Sequence, residues 1–242
     1  MVDAAELAPS PWTAGVQRVL RSPRRDPRHR QYIAETDRAG TVGVHLTGAR
    51  GGLLVGSVIA VDRDVPAGDV LSVAQTIVTL EARAPRGVAT CSLFDLPLGE
   101  GTIWTITEHE VETKSSEGRE EEVMSVLPAW SAESTVDLDR EALGFPASAR
   151  AILQALGLTN LTYAAKQSAV ARYDAVGFEA AAVTVLALSV SAPQLRPGRR
   201  REATLRFGHP FAVVAVAYED QRIPTHDSMQ SPWHGLPVFM GQ

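Results

Sequence analysis

The stretch Gly177-Phe178-Glu179-Ala180-Ala181-Ala182-Val183-Thr184 places a glycine before a run of small side chains. Its three alanines favour a helix by intrinsic preference. Residues 185–190 are mostly β-branched or aliphatic and favour an extended strand. A glycine, small side chains and a strand-prone tail together predict a segment that can exist either as a loop or as a strand.

The same stretch closely resembles the hinge of the reactive loop in serpins, a family of protease inhibitors that trap their targets by a conformational change. Further segments resemble serpin signatures in the family's own order: LPAWSAESTVDL at 127–138, QSAVARYD at 167–174, FGHPFAVVAV at 207–216 and PVFMG at 237–241. The clear resemblance covers about residues 123–242. A looser one, mainly to actinobacterial members, reaches back to about residue 40, and the N-terminal helical half of the family's fold has no counterpart.

The resemblance implies a single truncated serpin-like domain over residues 1–242. Its class would be α+β, with mainly antiparallel β-sheets and a few short helices. The implied activity is inhibition of a serine protease, which cleaves the loop and frees an arm that inserts into the main sheet. The resemblance assigns the hinge to Gly177, Phe178, Glu179, Ala180, Ala181, Ala182, Val183 and Thr184.

The usual length of the arm, counted from Gly177, implies a scissile bond between Ser191 and Ala192. A small residue at this point suits a subtilisin- or elastase-like protease. The alternative is cleavage by a trypsin-like protease within the arginine run, at Arg196, Arg199, Arg200 or Arg201.

Phe178 stands where the family usually has Thr or Ser, and a buried phenyl ring should hinder insertion. The alternative function is therefore a non-inhibitory serpin-like binding or scaffold protein, or a serpin fragment without trapping activity.

The composition is that of an ordinary globular protein, with 45% hydrophobic residues and a formal net charge of −5 over 242 residues. This charge gives no reason to expect a nucleic-acid partner. No run approaches the roughly 20 apolar residues that span a bilayer. Because the N-terminal region shows no signal peptide, we expect a cytoplasmic protein, or an extracellular one if the true N-terminus is missing.

The sequence shows no catalytic signature. No Gly-x-Ser-x-Gly elbow surrounds a serine, and the acidic and histidine residues around His109, His226 and His234 match no metal-ligand spacing. We therefore expect no enzyme activity, no cofactor and no metal. His209, inside FGHPF, is interpreted as a structural turn residue.

Hydrophobic patterning predicts a β-hairpin over residues 41–61, a helix from Pro66 to about Gln75 and a strand at 102–107. The seven glutamates of residues 108–122 predict a solvated turn. Further along, the pattern predicts a helix capped by Ser148 and stopped by Gly157, then two closing strands at 211–218 and 237–241.

Residues 165–204 are predicted to hold a leading strand, the hinge and the reactive loop, with 192–204 as loop. Residues 1–40 are predicted to be an irregular basic segment. Two interpretations of this segment stay open, a binding site for a polyanion or a solvated loop. Its clustered arginines are Arg18, Arg21, Arg24, Arg25, Arg28 and Arg30.

Overall fold

A computed structural model describes residue 7 and residues 11–24, 26–49, 52–83, 90–137, 144–157, 166–173, 195–219 and 232–242. The strands are β1 (Val19–Arg21), β2 (His29–Thr36), β3 (Gly40–Ala49), β4 (Leu53–Ala60), β5 (Thr90–Cys91), β6 (Gly99–Glu100), β7 (Trp104–Thr113), β8 (Arg119–Pro128), β9 (Trp130–Asp137), β10 (Lys166–Tyr173), β11 (Arg196–Arg206), β12 (Ala212–Ala217) and β13 (Pro237–Gly241). The helices are α1 (Ala67–Arg83) and α2 (Phe145–Ala155). The predicted α+β class, with mainly antiparallel sheets, is confirmed.

The described chain divides into two compact units, of which the smaller is Trp130–Tyr173. The larger unit contains a six-stranded sheet with the order β13-β12-β4-β3-β2-β5. At its centre lies the predicted hairpin, now β3 and β4, which pair in antiparallel register from Val42 opposite Ala60 to Ala49 opposite Leu53. The predicted closing strands are also confirmed, because β12 pairs with both β4 and β13.

Helix α1 covers one face of this sheet. Its buried positions recur at helical spacing, at Val70, Val73, Ala74, Ile77 and Val78, and they pack with the inward side chains of β2, β3, β4 and β12. The prediction ended the helix near Gln75, but it runs to Arg83. The apolar stripe continues for two more turns, and packing against the sheet outweighs the weak local preferences of Thr76 and Thr79.

The opposite face of the six-stranded sheet packs on a five-stranded sheet with the order β1-β8-β11-β7-β6. The two sheets approach closely at Gly43: an added Cβ there would lie 2.7 Å from Leu205 Cδ1 and 2.8 Å from Ile103 Cδ1. A glycine in a central strand is tolerated here because it makes room for two large neighbours.

Two predictions fail in the five-stranded sheet. Residues 108–122 are not a solvated turn, because they form most of β7 and the start of β8. Residues 196–204 are not loop, because they lie in β11, the central strand. Their many charged side chains are typical of solvated segments, so the strands were not predicted. In the sheet, the arginines of β11 lie beside the glutamates of β7 and β8, which are far away in sequence.

The prediction that residues 1–40 are irregular is also wrong. β1 pairs with β8, and β2 pairs with β3 from His29 opposite Thr47 to Thr36 opposite Gly40. The pattern of β2 is difficult to recognise because both of its faces carry polar residues, one of which, His29, is buried.

The smaller unit contains α2 and a two-stranded antiparallel sheet formed by β9 and β10. Helix α2 begins at Phe145 after Gly144, so Ser148 is not its cap; the hydroxyl of Ser148 donates to the carbonyl of Gly144 within the first turn. The predicted stop is confirmed, since Gly157 has the left-handed φ of 64° that favours glycine. Neither described helix is long and apolar enough to cross a membrane.

Candidate functional site

The predicted hinge, Gly177, Phe178, Glu179, Ala180, Ala181, Ala182, Val183 and Thr184, lies outside the described residues, as do Ser191 and Ala192. The strands that flank this segment in sequence are described. β10 ends at Tyr173, and β11 begins at Arg196. The candidate site is therefore defined by how these two strands are held.

β10 is the predicted leading strand, and it is paired on one edge. It runs antiparallel to β9 from Lys166 opposite Asp137 to Tyr173 opposite Trp130. The structure thus joins two of the segments singled out in the sequence, 167–174 and 127–138. Within the described part of the chain, no strand pairs with the second edge of β10. Such an edge presents a row of N–H and C=O groups that can bind one more strand.

β11 is held on both edges. It pairs antiparallel with β7 from Arg196 opposite Thr113 to Leu205 opposite Trp104. On the other side it pairs parallel with β8 from Arg199 opposite Arg119 to Arg206 opposite Val126. The two strands therefore differ in pairing: among the described residues, β10 has one partner strand and β11 has two.

The position of β11 bears on the alternative cleavage site at Arg196, Arg199, Arg200 and Arg201. A protease binds its substrate as an extended strand, so the substrate's backbone groups must be unpaired. These arginines are instead part of a ladder with β7 and, from Arg199, with β8. The guanidinium of Arg200 lies 2.8 Å from Glu120 Oε2, and that of Arg199 lies 3.0 Å from Glu108 Oε1. This arrangement disfavours cleavage in the arginine run.

The C-terminal motifs form part of the core of the larger unit. Phe207 is fully buried and meets Phe211 edge-on, with 5.0 Å between ring centroids. His209, which lies between these two residues in the sequence, is also buried. It stands in the turn that leads into β12. Burial lowers the pKa of its imidazole. This placement fits a structural turn residue.

A buried histidine pair, which was not predicted from the sequence, lies between the two sheets. His29 Nδ1 lies 3.0 Å from His45 Nε2, and the rings are stacked with 5.3 Å between centroids. Burial lowers the pKa of His45 to about 3 and also lowers that of His29. The alternation of β3 indicated that His45 lies on the other face of the strand from Val44 and Leu46. It did not indicate that both faces of β3 are buried.

A second missed cluster lies under α1. Glu81 is buried, and its carboxylate accepts from Arg30 at 2.6 Å and from the hydroxyl of Tyr32 at 3.1 Å. Burial, followed by the charge of Glu81, raises the pKa of Tyr32. No local signal could have identified this pair, because the partners are about fifty positions apart. Its contacts are those of a structural brace between helix and sheet.

Arg24, Arg28 and Arg30 of the basic segment each pair with an acidic side chain. Arg24 lies 3.1 Å from Glu122 and 3.4 Å from Glu202. Arg28 pairs with Asp26 at 2.5 Å, and hydrogen bonding to Arg28 lowers the pKa of Asp26 to about 2. Binding of a polyanion at Arg18, Arg21, Arg24, Arg25, Arg28 and Arg30 stays a prediction.

Metal-ligating side chains do not gather in groups of three or more within the part of the chain that the structure describes. The expectations that the chain has no enzyme activity and takes no cofactor stay predictions.

Comparison with known proteins finds similarity at the level of structure. No family model matches the chain, and no curated protein matches it. It is similar to Serpin48, a highly specific serpin of the insect Tenebrio molitor, at 13% identity and a TM-score of 0.32. It is also similar to thyroxine-binding globulin in complex with thyroxine, at 14% identity and a TM-score of 0.35. These matches cover 81% and 78% of this chain and 41% of each of the other chains, so the chain spans less than half of their length. Similarity at this level does not assign the chain to a family.

Proposed function

We propose that the chain is a serpin-type inhibitor of a serine protease, which acts by cleavage of its reactive loop and insertion of the freed arm beside β10. The observation that carries the proposal is the second edge of β10, which has no partner strand among the described residues. In the sequence, β10 comes just before the hinge-like stretch. Cleavage of a constrained loop can release stored free energy as new strand pairing.

The chemistry of residues 177–190 suits insertion as a strand. A strand alternates its faces, so Phe178, Ala180, Ala182 and Thr184 would share one face. Small side chains can enter beside an existing strand with little steric conflict. At about 3.3 Å per residue, the fourteen steps from Gly177 to Ser191 would span about 46 Å, and each new backbone hydrogen bond would contribute about 1 kcal/mol net.

The proposed target is a subtilisin- or elastase-like serine protease cutting between Ser191 and Ala192. This choice rests on the small side chain of Ser191 and on the position of the arginine run inside the ladder of β11. A trypsin-like protease would first have to separate β11 from its neighbours.

Incubation with subtilisin, elastase and trypsin tests the proposal. We expect an SDS-stable covalent complex with one of the first two and none with trypsin. Replacing Phe178→Thr should raise the rate of complex formation about tenfold or more, because a buried phenyl no longer opposes the first step of insertion; this corresponds to about 1.4 kcal/mol of the barrier.

The matched control is Phe145→Thr in α2, which removes a half-exposed phenyl ring and should leave the rate unchanged. Cleavage without a complex for all three proteases would contradict inhibition and favour the non-inhibitory binding or scaffold protein.

A further inference from the structure

The connection between β7 and β8 encloses another strand. β7 ends at Thr113 and β8 begins at Arg119, so residues 114–118 join them as a short connection, here named the arch. Two strands joined by so short a connection usually pair with each other. Here β11, which comes much later in the chain, lies between them and pairs with both.

The arch crosses β11 at Gly198. The amide of Arg199 donates to the carbonyl of Gly118 at 2.9 Å. An added Cβ at Gly198 would lie 2.6 Å from the same carbonyl oxygen and would also collide with the side chain of Thr113. Thr113, the last residue of β7, and Gly118, at the end of the arch, therefore both approach β11 at Gly198, the one position of this strand that has no side chain.

Side chains fasten β11 on both sides of this crossing. On the β8 side, Arg200 bonds Glu120 through two guanidinium nitrogens, at 2.8 and 3.1 Å. On the β7 side, Arg199 bonds Glu108 at 3.0 Å. Arg201 donates to the carbonyl of Phe94 at 2.6 Å. To leave the sheet, β11 would have to break its backbone ladders with β7 and β8 and these charge-assisted bonds. The arch also blocks its exit on one face of the strand.

We infer that the arch and Gly198 form a lock that holds β11 in its place between β7 and β8. This inference goes beyond the proposed inhibition, since it concerns how β11 is held and applies whether or not an arm inserts.

Hydrogen exchange of the intact protein, followed by mass spectrometry or NMR, tests the lock. We compare the amides of β11 from Arg200 to Leu205 with those amides of β10 that pair with β9. Locked strands exchange through global unfolding, whereas weakly held strands exchange through local opening. We expect the β11 amides to exchange at least about a hundredfold more slowly than the β10 amides.

The variant Gly198→Ala should open the crossing and raise β11 exchange by about tenfold or more, with β10 exchange unchanged. The matched control is Gly48→Ala, also in a strand, where an added Cβ meets nothing within 4 Å; it should change neither. Should Gly198→Ala fail to fold, the exchange rates of the β11 and β10 amides in the unsubstituted protein remain the test of the lock.

Equal or faster exchange in β11 than in β10 would overturn the lock. This outcome is separable from failure of the proposed inhibition, because the experiment uses no protease. A chain that forms no covalent complex can still show a protected β11, and a chain that forms one can show an unprotected β11.

Discussion

Replacing Arg30→Met is expected to lower the free energy of unfolding by about 3 kcal/mol or more. The substitution leaves the carboxylate of Glu81, whose side chain is 1% exposed, without the guanidinium that lies 2.6 Å away. Breaking a buried ion pair by removing one partner typically costs about 3–5 kcal/mol, because a buried charge loses its compensation. The lower end applies here, since the side chain of Arg30 itself is 36% exposed.

Urea unfolding at neutral pH measures this effect. The matched control is Arg38→Met, which breaks the exposed pair with Asp69 at 3.5 Å and should cost less than about 1 kcal/mol. The double variant Arg30→Met with Glu81→Leu should recover part of the loss, because no buried charge remains. Equal small losses for Arg30→Met and Arg38→Met would show that the brace under α1 contributes little.

Acidification is expected to destabilise the protein through the buried histidine pair. The folded pKa of His45, about 3, lies below the ordinary value of about 6.5. The contribution of His45 is therefore complete above about pH 6.5 and is lost progressively as the pH falls toward 3. For His45 alone the loss is about 2 kcal/mol at pH 5. His29, whose pKa is lowered by burial, acts in the same direction; the nearby charges are Asp26, which opposes that shift, and Arg28, which adds to it.

Urea midpoints at pH 8, 7, 6 and 5 check this expectation. The variant His45→Asn should reduce the loss between pH 8 and pH 5 by about 2 kcal/mol, whatever its effect on stability at pH 8. The control His109→Asn, at an exposed position of β7, should keep the dependence of the unsubstituted protein. An unchanged pH dependence in His45→Asn would show that the pair is not what titrates.

The parts of the fold that were predictable are those with local signals. Val42, Val44 and Leu46 alternate with smaller or polar residues and are followed by a glycine-rich turn, which correctly predicted β3 and β4. The left-handed Gly157 and the apolar closing strands were likewise visible in the sequence.

β11 could not be predicted, because its stabilising partners are distant. Pro197 and Gly198 are ordinary loop residues, and four arginines indicate a solvated segment. The strand forms because the acidic residues Glu108 and Glu120, which also appeared solvated, are its partners across two ladders. Oppositely charged residues that lie in separate segments produce no periodic pattern in the sequence, so their pairing is seen only in the folded sheet.

For the candidate site, the sequence correctly predicted a strand near residues 165–173, now β10. Its role as the strand that leads into a reactive loop stays a prediction. The motif at 127–138 was noted in the sequence, but its pairing with this strand was not predicted. The pairing of β10 with β9 joins them. The hinge and the bond between Ser191 and Ala192 lie outside the described residues, so their roles rest on the resemblance and on the edge of β10.

In the proposed mechanism, the segment after Tyr173 joins β10 once it is cut. The direct test is the melting temperature of the protein before and after cleavage between residues 185 and 194, with the cut located by mass spectrometry. A net gain of about 5 kcal/mol would raise the melting temperature by about 10–20 °C for a chain of this size. The control Ala182→Glu would place a charge beside the neighbouring strand and should abolish the rise. If the arm inserts, the cut protein melts about 10 °C or more above the intact one; an equal or lower melting temperature would mean that the arm does not join β10.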